Sequence, residues 1–215
     1  KEETESALID LKFLGVDNIL ALRGDPMKNE STFVPTEGGN AYALNLIEQI
    51  NEMNNGQYLY EETKNSPSNF CIGTAGYPEK HFEAMNLSTD MKHLKKKVDA
   101  GAEFIVTQLF YDNEKFFDFV KKCREIGIKV PIIPGIKPIT NLRHLSFIPK
   151  FFHVNFPESF SNELEKCKTD EEIKRVGIEW TTAQCKELVK ADTPVIHFYT
   201  MGRGTAVKNI AKEIF

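Results

Sequence analysis

The sequence predicts a parallel α/β fold. Short apolar, β-rich runs alternate with helical patterns along the whole chain, and Gly or Pro punctuation closes nearly every unit. Glu2 to Leu14 reads as the first helix, with Ala7, Leu8, Leu11 and Leu14 at helical spacing and Gly15 as its stop. Asn18 to Gly24 is a buried strand closed by Gly-Asp-Pro, followed by a polar, Gly-rich loop (29–39) and a helix over about 40–53. Residues 54–68 lack periodicity and read as an inserted loop. Phe70 to Ala75 is the second strand. Ser88-Thr89-Asp90 offers an N-cap to a helix carrying Met91, Leu94 and Val98 on one face, ended by Gly101. A strand over 103–110 precedes a helix over 113–126, with Phe116, Phe119, Val120 and Cys123 inward. Pro131 to Ile136 is the fourth strand, its prolines suited to a strand entrance and exit. The helical signal is irregular over 140–177, with an edge segment expected at 152–156. A long helix follows over 170–191, then a fifth strand over 195–200 and a last helix from about Thr205. Right-handed connections then permit two arrangements, a doubly wound sheet or an arc of a barrel.

Composition removes several function classes. With 27 basic and 31 acidic residues and a formal charge of −4, the chain has no basic excess for nucleic acid. The Lys95-Lys96-Lys97 run, offset by nearby acids, reads as a solvated helix face. No apolar run approaches the roughly 20 residues that span a bilayer. The acidic start lacks the order of a signal peptide. Cys71, Cys123, Cys167 and Cys185 lie far apart without zinc spacing, so reduced cysteines in a cytoplasmic protein are expected.

In either arrangement ligands lie beyond the carboxyl ends of the strands. Those ends carry Arg23-Gly24-Asp25-Pro26, then Ala75 to His81, Thr107-Gln108, Pro134-Gly135, and Tyr199 to Arg203. An acid, an amide, an aromatic ring, an imidazole and a guanidinium are together a richer set than structural filling supplies. Singly, Asp25 reads as a turn residue and His81 as a loop histidine. Gln108 interrupts an apolar strand, so its amide needs either neighbouring backbone or a heteroaromatic ligand. Asp90, His93 and Lys97 share a helix face, where an acid for ribose and a lysine for phosphate would suit a dinucleotide. No G-x-G-x-x-G or Walker sequence supports a Rossmann or P-loop cradle.

Five blocks resemble the methylenetetrahydrofolate reductase family. They are Asn18-Ile-Leu-Ala-Leu-Arg-Gly-Asp-Pro26, Ala75-Gly-Tyr-Pro-Glu-Lys-His81, Lys96 to Ala102 through Thr107-Gln-Leu-Phe110, Ile133-Pro-Gly-Ile136, and His197-Phe-Tyr-Thr200. They recur in order over nearly the whole chain, excepting 54–68 and 150–190. The resemblance implies a (β/α)8 TIM barrel, with the fourth to eighth βα units present and residues 1–215 forming one catalytic FAD-binding domain. It implies FAD as cofactor, NADH or NADPH as hydride donor, and reduction of 5,10-methylenetetrahydrofolate. Arg23, Gly24 and Asp25 would line the flavin, Asp25 also facing the folate as the catalytic carboxylate. Tyr42 and Ala43 match FAD contacts. Tyr77, His81, Asp90, His93, Lys96 and Lys97 would hold the ribityl, diphosphate and adenosine parts. Gln108 would bind pterin and nicotinamide in turn, Arg203 the glutamate tail, and His144 stands where a glutamine can meet substrate. His93 and Lys96 replace an asparagine and an arginine found in bacterial relatives, and lysine is not equivalent to arginine at phosphate.

The same resemblance expects the general-acid glutamate on a first strand outside this chain. An open five-strand arc would then need the missing N-terminal strands as partner, and no large C-terminal domain is expected. Homo-oligomers occur in the family. Three other readings stay open: a proline-dehydrogenase-like flavoprotein, lacking Gln108 with Arg203; a folate-binding barrel methyltransferase, which would be colourless; and a non-catalytic binding protein.

Overall fold

The structure is a computed structural model, and it describes residues 1–26, 30, 32–60 and 66–215. The predicted loops at 29–39 and 54–68 therefore lie partly outside the described residues. Five strands form one sheet: β1 (Asn18–Ala21), β2 (Cys71–Gly76), β3 (Phe104–Leu109), β4 (Ile132–Ile136) and β5 (His197–Phe198). Their order is β1-β2-β3-β4-β5, and β1·β2 and β4·β5 pair in parallel. A doubly wound sheet reverses strand order at a switch point. This order never reverses, so of the two arrangements open from sequence the singly wound one, used by barrels, is present. The helices are α1 (Glu2–Phe13), α2 (Ala43–Asn54), α3 (Leu87–Asp99), α4 (Asn113–Glu125), α5 (Arg143–Phe152), α6 (Glu158–Glu165), α7 (Asp170–Lys190) and α8 (Thr205–Ile214). Among the described residues no helix is long and apolar enough to cross a membrane. All four cysteines are free.

The chain divides into two compact units. The first comprises 1–75, 91–105 and 128–131. Its core joins Leu8, Ala21, Ile47, Ile50, Met53, Phe70, Ile72 and Ala102. On α1, Leu8 is buried and Leu11 half-buried but Ala7 and Leu14 are exposed, so the expected stripe narrows to two side chains. The buried carboxylate of Glu5 accepts from Leu59 N at 2.8 Å. Asn54 fixes the entrance to β2, accepting from Ser68 Oγ and Phe70 N and donating to Phe70 O at 2.8 Å. At Gly73 the chain has no room for a side chain: a Cβ would lie 2.3 Å from the Phe104 ring.

The second unit comprises 76–90, 106–127 and 132–215. The cap of α3 differs from expectation. The helix begins at Leu87, and Asn86 Oδ1 accepts from Thr89 N, which places Ser88 to Asp90 inside the first turn. Asp112 caps α4, whose Phe116, Phe119 and Cys123 are buried. The edge segment expected at 152–156 is not a strand. Phe152 ends α5, and His153 turns the chain in the left-handed region at φ 53°. A core of Leu109, Tyr111, Ile139, Ile148, Val154, Phe160, Leu164 and Ile173 lies under α5, α6 and α7. Trp180, the single tryptophan, stacks on Phe160 at 4.4 Å and donates to Tyr111 O. Thr169 and Glu172 form a capping box at the start of α7.

Pro134 corrects the expectation that prolines flank the fourth strand, since it sits inside β4. Along a parallel strand the bonding side alternates from residue to residue. Ile136 O accepts from Tyr199 N, so Pro134, two residues earlier, also faces β5. Pairing there begins only at Gly135↔His197, so the missing N–H falls where the ladder has not started. That short register is also why β5 spans two residues rather than the six expected.

Candidate functional site

In the second unit the loop after β2 carries the densest chemistry. Lys80 closes a turn by donating to Tyr77 O, and its φ of 99° lies in the left-handed region that side chains avoid. Its Nζ donates to Ala84 O at 2.6 Å, holding the loop on itself. Glu79, with its side chain 9% exposed, accepts from Lys115 Nζ at 2.6 Å and from Asn155 N and Nδ2 at 3.1 and 2.6 Å. This carboxylate ties the loop to α4 and to the segment after α5. Tyr77 meets His81 edge to face at 4.6 Å. His81 stacks on Phe82, and Phe82 on His153, each at 4.8 Å. Asp90 accepts from His81 N at 2.9 Å, which sets the position of that ring's backbone. A shallow cleft is lined by Tyr77, Lys80, Gln108, Phe152 and His153. Gln108 Oε1 accepts from Leu109 N, so backbone satisfies half of its amide, and Nε2 makes no bond within the described residues. Tyr77, His81, Asp90 and Gln108 are thus brought together.

Further along this unit β3 and β4 approach unusually closely. Gly135 N donates to Thr107 Oγ1 at 2.9 Å, and Tyr199 Oη donates to Thr107 O at 2.8 Å. A Cβ on Gly135 would stand 2.1 Å from Thr107 O and 2.6 Å from the Tyr199 ring. Burial pushes the Tyr199 phenol up to about 12, so it acts as a hydrogen-bond donor and not as a base. His144 belongs to its own turn: Nδ1 accepts from Thr140 N at 3.2 Å, and Nε2 lies 3.0 Å from Asn141 Nδ2. Burial first, then the charges of Lys137, Arg143 and Arg203, lower its pKa to about 4 against an opposing effect of Asp170. His144 is therefore a neutral imidazole near pH 7. Arg203 is exposed and its guanidinium makes no bond within the described residues.

In the first unit Arg23 extends over the Phe33 ring at 5.1 Å, a cation–π contact beside Gly24. Gly24 and Asp25 are exposed. Tyr42 precedes α2, with its N–H bonded to Asn45 Oδ1 and its side chain exposed, and Ala43 opens the helix. On α3, His93 and Lys96 are exposed, whereas Lys97 is half-buried and donates to Ala75 O at 2.6 Å, where β2 ends. Among the described residues no group of three or more His, Cys, Asp or Glu side chains could hold a metal ion.

Sequence reasoning gave no role to three charged residues of the second unit. Glu79 and Lys80 carry no expected role, although a charged pair beside a Pro turn signals a braced loop. Lys137, buried between Ile136 and Pro138, is a charge inside an apolar run and stood in plain view.

These features define a class: a singly wound parallel α/β protein whose polar side chains follow its strands. A family model described as "Methylenetetrahydrofolate reductase" matches residues 1–214. Methylenetetrahydrofolate reductase (NADH) 1 of Arabidopsis thaliana is 41% identical over 210 residues, 93% of this chain and 33% of that protein. Methylenetetrahydrofolate reductase 1 of Schizosaccharomyces pombe is 38% identical over 214 residues, 99% of this chain and 33% of that protein. The 5,10-methylenetetrahydrofolate reductase of Pectobacterium carotovorum is 32% identical over 192 residues, 88% of this chain and 57% of that protein. The chain belongs to the methylenetetrahydrofolate reductase family. It spans about a third of the length of the plant and yeast relatives.

Proposed function

We propose that this chain is part of a catalytic (β/α)8 barrel, its fourth to eighth βα units, that reduces 5,10-methylenetetrahydrofolate to the 5-methyl form with FAD and NADH or NADPH. The family match over residues 1–214 carries this reading. The relatives' printed names, some specifying NADH and one NADPH, agree with a nicotinamide donor.

The side chains present suit such ligands. Gln108 keeps an unused amide donor at a cleft bordered by Tyr77 and His153, as a planar heteroaromatic group requires. FAD, when bound, supplies the hydride relay between nicotinamide and folate. Gln108 orients the pterin and, in turn, the nicotinamide. Arg23, Gly24 and Asp25 line the flavin ring, and the Asp25 carboxylate stabilises the positive charge that develops on the opening folate ring. Tyr42 and Ala43 contribute further flavin contacts. Tyr77, His81, Asp90, His93, Lys96 and Lys97 hold the ribityl, diphosphate and adenosine portions. His144, neutral, offers substrate a hydrogen bond rather than a charge, and Arg203 meets the glutamyl tail.

The test is an absorption spectrum of the intact protein. Flavin bands that bleach with NADH or NADPH and recover with methylenetetrahydrofolate are expected. A colourless protein that binds folate would favour a methyltransferase instead. Asp25→Asn is expected to slow folate reduction about 100-fold while flavin affinity changes little; undiminished folate turnover would remove Asp25 from its role.

A further inference from the structure

Lys137 is the group that the proposed chemistry leaves unused. It directly follows β4, and only 7% of the residue is exposed. It forms no hydrogen bond or ion pair with any described residue. Its Nζ is not wholly enclosed, so the stem is buried while the tip keeps some contact with solvent. A buried cation without a partner is strongly disfavoured, and desolvation lowers the Lys137 pKa accordingly.

Its surroundings call for a negative charge. Tyr199 N donates to Ile136 O, so Lys137 leaves β4 beside the loop that leaves β5. That loop turns tightly through Met201 and Gly202, at φ 49° and 77°, and Arg203 N closes it on Thr200 O. Lys137, Arg143 and Arg203 all act on His144 with the same sign. The one opposing acid, Asp170, has its Oδ1 engaged by Leu142 N at 2.7 Å.

We propose that Lys137 is an anion-binding residue which, together with Arg203, receives a carboxylate or phosphate group of the bound ligand at the carboxyl end of β4. An arriving anion supplies the missing partner and recovers the cost of desolvating the ammonium. Lysine contributes a compact point charge and arginine a two-pronged donor, so the pair suits a multi-oxygen anion.

The choice of ligands rests on the folate reading, whereas the anion site itself does not. Binding to the intact protein would be measured by calorimetry for wild type, Lys137→Met and Lys137→Arg. Methionine keeps the stem, and replacing an unpartnered buried charge with an apolar group should leave the fold intact. If the anion is the folate's, Lys137→Met weakens a glutamyl folate about 10- to 100-fold and a pteroate analogue without the tail less than about twofold. If it is the nucleotide's, the same selective loss falls on NADPH relative to NADH. Lys137→Arg should retain most of the affinity. Equal losses within both pairs, or none, would overturn the proposal. Should wild type bind neither folate nor nucleotide, the folate reading fails separately. Glutarate and inorganic phosphate titrated against the Lys137 Cε NMR signal then decide the anion site. A saturable shift weakened by Arg203→Gln sustains it. No shift, or one indifferent to that substitution, overturns it.

Discussion

Gly177 lies within the 21-residue helix α7, where replacing glycine by alanine ordinarily stabilises a protein. The usual gain is about 1 kcal/mol, from lost freedom of the unfolded chain. Here the structure reverses the sign. A Cβ on Gly177 would stand 2.0 Å from Ile139 O and 2.8 Å from Ile139 C, against a closest tolerable approach near 3.0 Å. Both obstructing atoms are backbone, so no rotamer change relieves them, and either α7 or the segment after β4 must retreat by about 1 Å. Overpacking of this kind costs roughly 1–3 kcal/mol, and a backbone obstacle puts it at the upper end. After subtracting the propensity gain, Gly177→Ala is expected to destabilise by about 1–2 kcal/mol, or roughly 2–8 °C in melting temperature. Trp180, one turn further along α7, reports the transition by fluorescence during urea unfolding. Gly204→Ala, with nothing within 4 Å of its Cβ, serves as the control and should change stability by less than about 0.5 kcal/mol. A Gly177→Ala protein as stable as wild type would show that the approach of Ile139 to α7 has been misread.

Three further predictions use other parts of the second unit. The pKa of His144 falls on folding from an ordinary 6.5 to about 4, so between those values the unfolded chain binds more protons. Stability is therefore fully present above pH 6.5 and is lost as pH falls toward 4, by roughly 1–2 kcal/mol once partial exposure is discounted. His144→Gln should flatten this dependence, and an NMR titration giving His144 an apparent value above 6 would refute it. Glu79→Ala strands Lys115 and Asn155 and should cost about 1–3 kcal/mol in denaturant melts; a loss under about 0.5 kcal/mol would show the loop is braced by something else. Gly135→Ala should destabilise more than Tyr199→Phe, because the first collides with Thr107 O while the second only removes a donor to it. The reverse order of melting temperatures would contradict that geometry.

Much of this architecture was legible in the residues because its periods are strong. Phe116, Phe119 and Cys123 announce α4, and the Gly101 and Gly127 stops coincide with φ values of 121° and 81°. What failed were features decided by neighbours in space. The 152–156 run has strand-like residues, yet tertiary packing under α5 and α6 buries Val154 and turns the chain at His153 instead. The fifth strand begins late where Pro134 has no N–H to offer it, a fact about β4 and not about residues 195 and 196. The α3 cap differs from expectation because Asn86, Ser88, Thr89 and Asp90 are all cap-type residues within five positions, and only geometry selects Asn86. Of the candidate site, residue types were readable and their occupations were not.

Those occupations bear on how ligand could be held. Asp90 is bonded to His81 N, Lys97 to Ala75 O, and Gln108 Oε1 to Leu109 N. For such groups a ligand contact either replaces an existing bond or uses a lone pair or proton left over. Replacement gains little, because one hydrogen bond is exchanged for another. A carboxylate, an ammonium and an amide each retain further capacity after one bond, so addition is open to all three. The existing bond then fixes the side chain before ligand arrives and reduces the entropy lost on binding. Lys137 and Arg203 are the opposite case: they hold no partner among the described residues, so an anion there would add interactions outright. On the proposed function, orientation would be set by the groups already bonded, whereas the affinity gained from a charged ligand would fall to the two cations.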